Sequence, residues 1–170
     1  MFEKKMTDRL TSEKRSWNMS RIHGKDTAIE VKVRKRLFSH GYRYRKNDKR
    51  LPGKPDIVLP KYKTVIFIHG CFWHRHTGCK NATMPKTRAE FWQEKFNRNV
   101  ENDKLHMKQL EESGWQVITL WECEINRDFD LVIDRTERQL KEKLQNECQI
   151  NGKQHKNQTI IFIPTFDSEY

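Results

Sequence analysis

The sequence predicts an α/β domain, and three observations carry that reading. Short apolar, β-branched runs recur at Ile57–Leu59, Thr64–Ile68 and Trp115–Trp121. Segments with helical periodicity begin near Thr27, Arg88 and Asp128 and alternate with those runs. Turn-forming residues such as Gly41, Pro60 and Gly114 punctuate the boundaries.

The chain of 170 residues is long enough for one ordinary core. Its formal net charge of +11, with 34 Lys plus Arg, calls for a polyanionic partner. Basic residues are interspersed with aromatics along the chain, a pattern that favours nucleic acid over an acidic membrane face. An apolar span and a signal peptide are both missing, so an intracellular, cytoplasmic protein is expected. The four cysteines, Cys71, Cys79, Cys123 and Cys148, suit a reducing compartment; beside histidines they suggest metal ligands, with Cys148 the spare.

Residues 1–23 are basic and lack a sustained period, and are read as a mobile arm in which Trp17 would gain by docking. Residues 24–145 form the folded domain and 146–170 a polar tail without a functional reading, apart from a strand-like run at Thr159–Ile163. The first helix follows Thr27, with Ile29, Val33, Leu37 and Phe38 as its apolar stripe and Gly41 as a left-handed cap. Thr27 and Glu30 have capping-box spacing, which by itself accounts for Glu30. Tyr42–Arg50 alternates aromatic and basic residues, as either an edge strand or a phosphate-tracking segment.

Asp56 follows Pro55 and opens the run Ile57–Leu59; a turn then leads into Thr64–Ile68, predicting a hairpin with Asp56 near His69. Thr87 and Glu90 have capping-box spacing ahead of a helix over Arg88–Ser113, with Phe91, Phe96, Val100, Met107 and Leu110 as its stripe. Asp103 on this helix reads as a surface charge facing Lys104 or Lys108. After Gly114, the Trp115–Trp121 strand runs directly into Glu122 and Cys123. A last helix over Asp128–Leu144 presents Leu131, Ile133 and Leu140.

The chemistry concentrates in TVIFIHGCFWHRHTGC, Thr64–Cys79. Cys71, His76, Cys79 and the distant Cys123 make up a tetrahedral zinc set, with His74 the alternative to His76. His69, His74 and Asp56 then form a second group: a carboxylate able to bind Mg²⁺ and an imidazole able to take a proton from water are the minimum for phosphodiester hydrolysis. Phe72 and Trp73, lying between these groups, could unstack bases or form a small apolar cluster under the zinc loop.

The stretches DTAIE, LPGKPDIVLP, TVIFIHGCFWHRH, AEFWQEKFNRNVENDK and GWQVITLWEC closely resemble the very-short-patch mismatch repair (Vsr) endonucleases, over Thr11–Ile125. The resemblance implies a restriction-endonuclease-like fold, a mixed central sheet flanked by helices. It also implies Mg²⁺-dependent nicking 5′ of the thymine in T·G mismatches left by deamination of 5-methylcytosine. Carried over, Asp56 and the Ile68 carbonyl hold Mg²⁺, with two ions expected. His69 and His74 are the active-site histidines, His74 being the general base, and Glu30 and Asp103 support them. Phe72, Trp73 and Trp92 intercalate, and Cys71, His76, Cys79 and Cys123 bind one structural Zn²⁺.

The chain departs from the wider restriction-enzyme pattern: Phe67, Ile68 and His69 replace acidic residue, any residue and lysine on the second strand. It also carries Thr77 and Gly78 between His76 and Cys79. The expected partners are DNA bearing a T·G mismatch, a functionally associated cytosine-5 methyltransferase and mismatch-repair proteins, with the enzyme itself a monomer. The rival readings are a zinc-stapled DNA-binding module without catalysis and a related nuclease indifferent to mismatches.

Overall fold

The computed structural model describes residues 26–156, together with 11, 13, 14, 17 and 20; for residues 147–156 it describes the backbone only. The elements are α1 (Ala28–Ser39), β1 (Ile57–Leu59), a 3-10 turn (Pro60–Tyr62), β2 (Thr64–His69), α2 (Ala89–Glu112), β3 (Gln116–Trp121), α3 (Glu122–Arg127) and α4 (Phe129–Lys156). The strands form one mixed sheet in the order β1-β2-β3. β1 and β2 are the antiparallel hairpin expected from the sequence, with Ile57 opposite Ile66 and Leu59 opposite Thr64. The turn closes through Lys63, whose left-handed backbone (φ 46°) lets its N–H reach the Pro60 carbonyl.

β2 and β3 are parallel, in register from Thr64 opposite Gln116 to His69 opposite Trp121. Parallel neighbours need a long crossover, and the chain between them, which includes α2, supplies it. Both strands therefore end at the same edge of the sheet, and their last residues lead directly into the chemistry-bearing segments.

β2 is the middle strand and is covered on both faces, which explains its continuous apolar run. Ile66 joins Val33, Leu37, Ile57, Leu59, Leu120, Ile133 and Leu140 in the main core between the sheet, α1 and α4. Val65 and Phe67 point the other way, onto Val58 and Leu110 under α2. Among the described residues, no helix is long and apolar enough to cross a membrane.

The structure corrects several expectations. Phe38, Phe91 and Leu131 are exposed rather than in the core. Phe38 lies beneath the Arg43 guanidinium, and Phe91 beneath that of Arg88. On α4 the buried arc is Val132, Ile133, Thr136 and Leu140, so the covered face lies beside Leu131. α2 does not begin with a Thr87 cap: Arg88 enters it in a left-handed conformation without a side-chain cap bond. Tyr42–Arg50 forms no edge strand, only an isolated bridge between Arg45 and Val58, and Tyr42 is buried against Tyr62.

α4 runs on to Lys156, past the boundary read at 145. Most of the 1–23 arm, the Thr159–Ile163 run and the side chain of Cys148 lie outside the described residues. Glu13, Lys14, Trp17 and Ser20 of the arm have helical backbone, which no period in the sequence announced.

Candidate active site and metal centre

The first cluster forms where β1 begins and β2 ends. Asp56 precedes β1, and its Oδ2 accepts the Ile68 N–H at 2.7 Å, beyond the last hairpin pair. The N–H and C=O of one strand residue leave on the same side, so the Ile68 carbonyl also faces the Asp56 edge. His69 closes β2 and is buried. The chain then turns at Gly70, whose carbonyl accepts the His74 N–H at 3.1 Å. That turn folds His74 back over His69, with ring centroids 3.8 Å apart and planes within 9°. On α2, Asp103 Oδ2 meets His74 Nδ1 at 2.6 Å, which leaves Nε2 as the second ring nitrogen of His74 for chemistry.

Glu30 arrives from the start of α1. Thr27 caps the helix, with Glu30 N–H donating to Thr27 Oγ1 at 3.3 Å, while the Glu30 carboxylate closes the box through the Thr27 hydroxyl, which donates to Oε1 at 2.8 Å, in place of the Thr27 N–H. Glu30 does more than cap. It is buried, and its Oε2 accepts both the Asp26 N–H and Arg34 Nη2, each at 3.0 Å. Arg34 is buried as well, and its Nη2 also pairs with Asp26 Oδ1 at 2.8 Å. Asp103 likewise is not the free surface charge that its lysine neighbours suggested, since it pairs with His74.

Glu30, Asp56, Ile68, His69, His74 and Asp103 all line one open cleft of about 670 Å³. Burial pushes the Asp56 carboxyl up to about 6; the neighbouring Glu30 adds to the rise, and the Ile68 N–H and Arg34 oppose it. Burial drives His69 down to about 4, assisted by the charge on His74 and opposed by Asp103. His69 is thus a neutral imidazole at ordinary pH. A divalent cation beside Asp56 would reverse the penalty on its carboxylate.

The second cluster lies one turn further along. Cys71, His76, Cys79 and Cys123 each present a ligand atom, all within 4.8 Å of one another. His76 Nδ1 lies 3.7 Å from Cys71 Sγ and 3.2 Å from Cys123 Sγ. Tetrahedral zinc with ordinary Zn–S and Zn–N bonds separates sulfur from nitrogen by about 3.6 Å, so the spacing fits that ion.

His76, rather than His74, belongs to this set. Thr77 and Gly78 are accommodated because Gly78 adopts a left-handed conformation (φ 71°), while the Cys79 N–H still reaches the His76 carbonyl. Burial pushes the Cys71 thiol up to about 12, whereas the Asn81 N–H holds Cys79 below its ordinary value. A buried thiol held so high needs a cation to become a thiolate ligand. Cys123, at the start of α3, ties β3 to the loop after β2.

Between the clusters, Phe72 and Trp73 are half-buried. Phe72 packs edge-on against Phe96 at 5.0 Å and Trp92 at 5.6 Å, and Trp73 lies 6.0 Å from Trp92. Phe96 anchors the group in the protein, while Phe72, Trp73 and Trp92 keep part of their surface open. Lys95 sits over both indoles, at 5.1 and 5.5 Å. Asn99 Nδ2 donates to the Trp73 carbonyl at 3.0 Å and fixes the loop.

Sequence reasoning singled out neither Asn99 nor Arg34 nor the cleft residues Lys54 and His106. For Arg34, the only available signal was its i,i+4 spacing from Glu30.

A sequence model of the DNA mismatch endonuclease Vsr family matches residues 7–81. The chain is 56% identical over 120 residues to the type II nicking enzyme V.NmeAIP of Neisseria meningitidis, covering 71% of this chain and 85% of that relative. It is 46% identical over 118 residues to the DNA mismatch endonuclease Vsr of Escherichia coli, covering 69% of this chain and 75% of that protein. The type II nicking enzyme V.XorIIP of Xanthomonas oryzae is 44% identical over 121 residues, covering 71% of this chain and 88% of its own length.

Proposed function

The chain belongs to the Vsr family of DNA mismatch endonucleases and is a DNA endonuclease; from that premise and the geometry of the cleft we propose that it nicks DNA 5′ of the thymine in T·G mismatches arising from deaminated 5-methylcytosine. The observation that carries the proposal is the convergence on one cleft of the Asp56 carboxylate and the Asp103–His74 pair. The fold is read as restriction-endonuclease-like, which the mixed sheet with helices on both faces supports.

Asp56 and the Ile68 carbonyl are the Mg²⁺ ligands in this reading, supported by Glu30, and two ions are expected. Bound there, magnesium would neutralise charge on the scissile phosphate and lower the pKa of a coordinated water. Asp103 holds His74 through Nδ1, so His74 Nε2 takes a proton from the attacking water. His69, neutral and stacked beneath His74, keeps that ring in place.

Phe72, Trp73 and Trp92 wedge beside the mismatch. Unstacking costs roughly a few kcal/mol, and least where pairing is already poor, which favours a mismatch reader. Cys71, His76, Cys79 and Cys123 hold one structural Zn²⁺, which would stabilise the turn carrying His74. The enzyme acts as a monomer in the cytoplasm, on nucleoid DNA, in association with a cytosine-5 methyltransferase and mismatch-repair proteins.

The test is incubation with Mg²⁺ and labelled duplexes carrying a central T·G mismatch in randomised flanks, beside T·A duplexes and a Mg²⁺-free lane. Nicking confined to the thymine strand of T·G duplexes and dependent on Mg²⁺ is expected. Equal cutting of T·A duplexes would replace the proposal with a general nuclease, and tight binding without cutting would replace it with a DNA-binding module.

A further inference from the structure

Lys54 occupies an unusual point of the chain. Gly53 (φ 70°) and Lys54 (φ 52°) are consecutive left-handed residues. Gly53 has a packing reason, since a Cβ there would lie 3.1 Å from both His106 and Phe67. Lys54 closes the turn with its N–H on the Leu51 carbonyl at 3.1 Å, and a side-chain-bearing residue in this region is held against its backbone preference.

What the conformation achieves is position. Lys54 lines the same cleft as Glu30, Asp56, Asp103 and Glu122, and the buried, rigid Pro55 separates it from Asp56. Despite these carboxylates, Lys54 makes no ion pair or side-chain hydrogen bond among the described residues. Lys46 and Arg34 nearby are both paired, with Asp26 and with Asp26 and Glu30. An exposed, uncommitted ammonium two residues from the carboxylate read as the metal ligand suits an incoming phosphate.

Resting on the function proposed above, we infer that Lys54 holds a non-bridging oxygen of the phosphate to be cut, orienting it against Asp56 as negative charge builds on the phosphoryl oxygens. Lys54 is exposed, so it can be changed without opening the core. Single-turnover nicking of a T·G duplex with Mg²⁺, and equilibrium binding against salt without Mg²⁺, test the inference together.

Lys54→Met is expected to lower the nicking rate about 10²-fold, as loss of one charge-stabilising donor does elsewhere, with duplex affinity at moderate salt changed far less. The slope of log affinity against log salt should fall by about one contact. Lys54→Arg should restore most of the rate. Lys54→Gly should lose the rate while keeping or raising the melting temperature, which a merely structural lysine would not do. Charge-matched Lys61→Met, on the 3-10 turn at the far end of the hairpin, should keep the rate.

A Lys54→Met enzyme with the wild-type rate, or a Lys54→Gly enzyme losing rate and stability together, would overturn the inference. If the wild-type protein cuts no T·G duplex, the proposed function fails on its own, and an unchanged salt slope in Lys54→Met would still refute the phosphate contact.

Discussion

Replacing Asp56 with asparagine should abolish nicking and at the same time stabilise the Mg²⁺-free protein near neutral pH. The folded carboxyl sits at about 6 against an ordinary 3.8, raised chiefly by burial. A group with a raised pKa contributes stability that is fully present below the unfolded value and lost as pH rises through the folded value. Without a divalent cation, the Asp56 contribution to wild-type stability should therefore decline between about pH 4 and pH 7. His69, lowered to about 4, acts in the opposite sense over that range, so the readout is the difference between variant and wild type. A difference of about two pKa units corresponds to about 3 kcal/mol, a ceiling because the carboxyl keeps some solvent contact.

The amide in Asp56→Asn does not titrate, and its oxygen can still accept the Ile68 N–H. The variant should thus match wild type at pH 4 and exceed it by up to about 3 kcal/mol at pH 7.5. For a fold of this size that is roughly 10 °C in melting temperature. Denaturation followed across pH in Mg²⁺-free buffer measures it; a chelator is left out because it would also strip any metal held by the cysteine cluster. Mg²⁺ should then stabilise wild type and not the variant. An Asp56→Asn protein less stable than wild type at pH 7.5, or a difference independent of pH, would refute the claim that Asp56 is held in place at a cost that only a cation relieves.

Cys123→Ser should lose about one zinc per chain by elemental analysis. It should also destabilise the fold by about 4 kcal/mol, the closure entropy of a cross-link spanning about 50 residues; unchanged zinc content would remove Cys123 from the set. Asp103→Asn should keep duplex binding while the nicking rate falls 10²–10⁴-fold, about the range expected when a general base loses its orienting partner; an unaltered rate would detach His74 from proton transfer. Phe96→Ala should cost about 3–5 kcal/mol by chemical denaturation, because Phe96 is fully buried beneath Phe72 and Trp92; a loss below about 1 kcal/mol would mean that the aromatic platform closes over the gap.

What could be read from the sequence was local or chemically rare. The Thr27–Glu30 box needs only one helical turn, and the hairpin joining Asp56 to the end of β2 needs only two apolar runs and a turn. The gathering of Cys71, His76, Cys79 and Cys123 was legible because cysteine and histidine at such density have few other uses. The rest depended on which surface meets which. The apolar period of α1, α2 and α4 marks a stripe without fixing its edges, so Phe38, Phe91 and Leu131 were placed inside when each lies just outside the covered arc. Asp103 sits among lysines in the chain, and only the packing of α2 beside the β2 turn gives it His74 as a partner. Arg34 is the sharpest case, because periodicity assigns a cation to solvent and cannot foresee one buried between two carboxylates.

The two clusters are mechanically one device. From Ile68 to His76 the chain offers, in sequence, a backbone carbonyl and His69 to the cleft, Cys71 to the cysteine set, Phe72 and Trp73 to the aromatic platform, His74 to Asp103 and His76 to the cysteine set again. Such a rapid alternation cannot be held by a helix or strand, whose periods would send neighbouring residues to fixed faces. It is held by its ends: β2 fixes Ile68 and His69 through pairing with β3, and the Cys71–His76–Cys79–Cys123 group pins the far side to the start of α3. Asn99 and Asp103, one turn apart on α2, hold the middle through the Trp73 carbonyl and the His74 ring. A ring-on-ring distance of 3.8 Å between His69 and His74 is therefore set by three anchors, so a metal bound at the cysteine set, outside the cleft, would act on the nicking chemistry through position rather than contact.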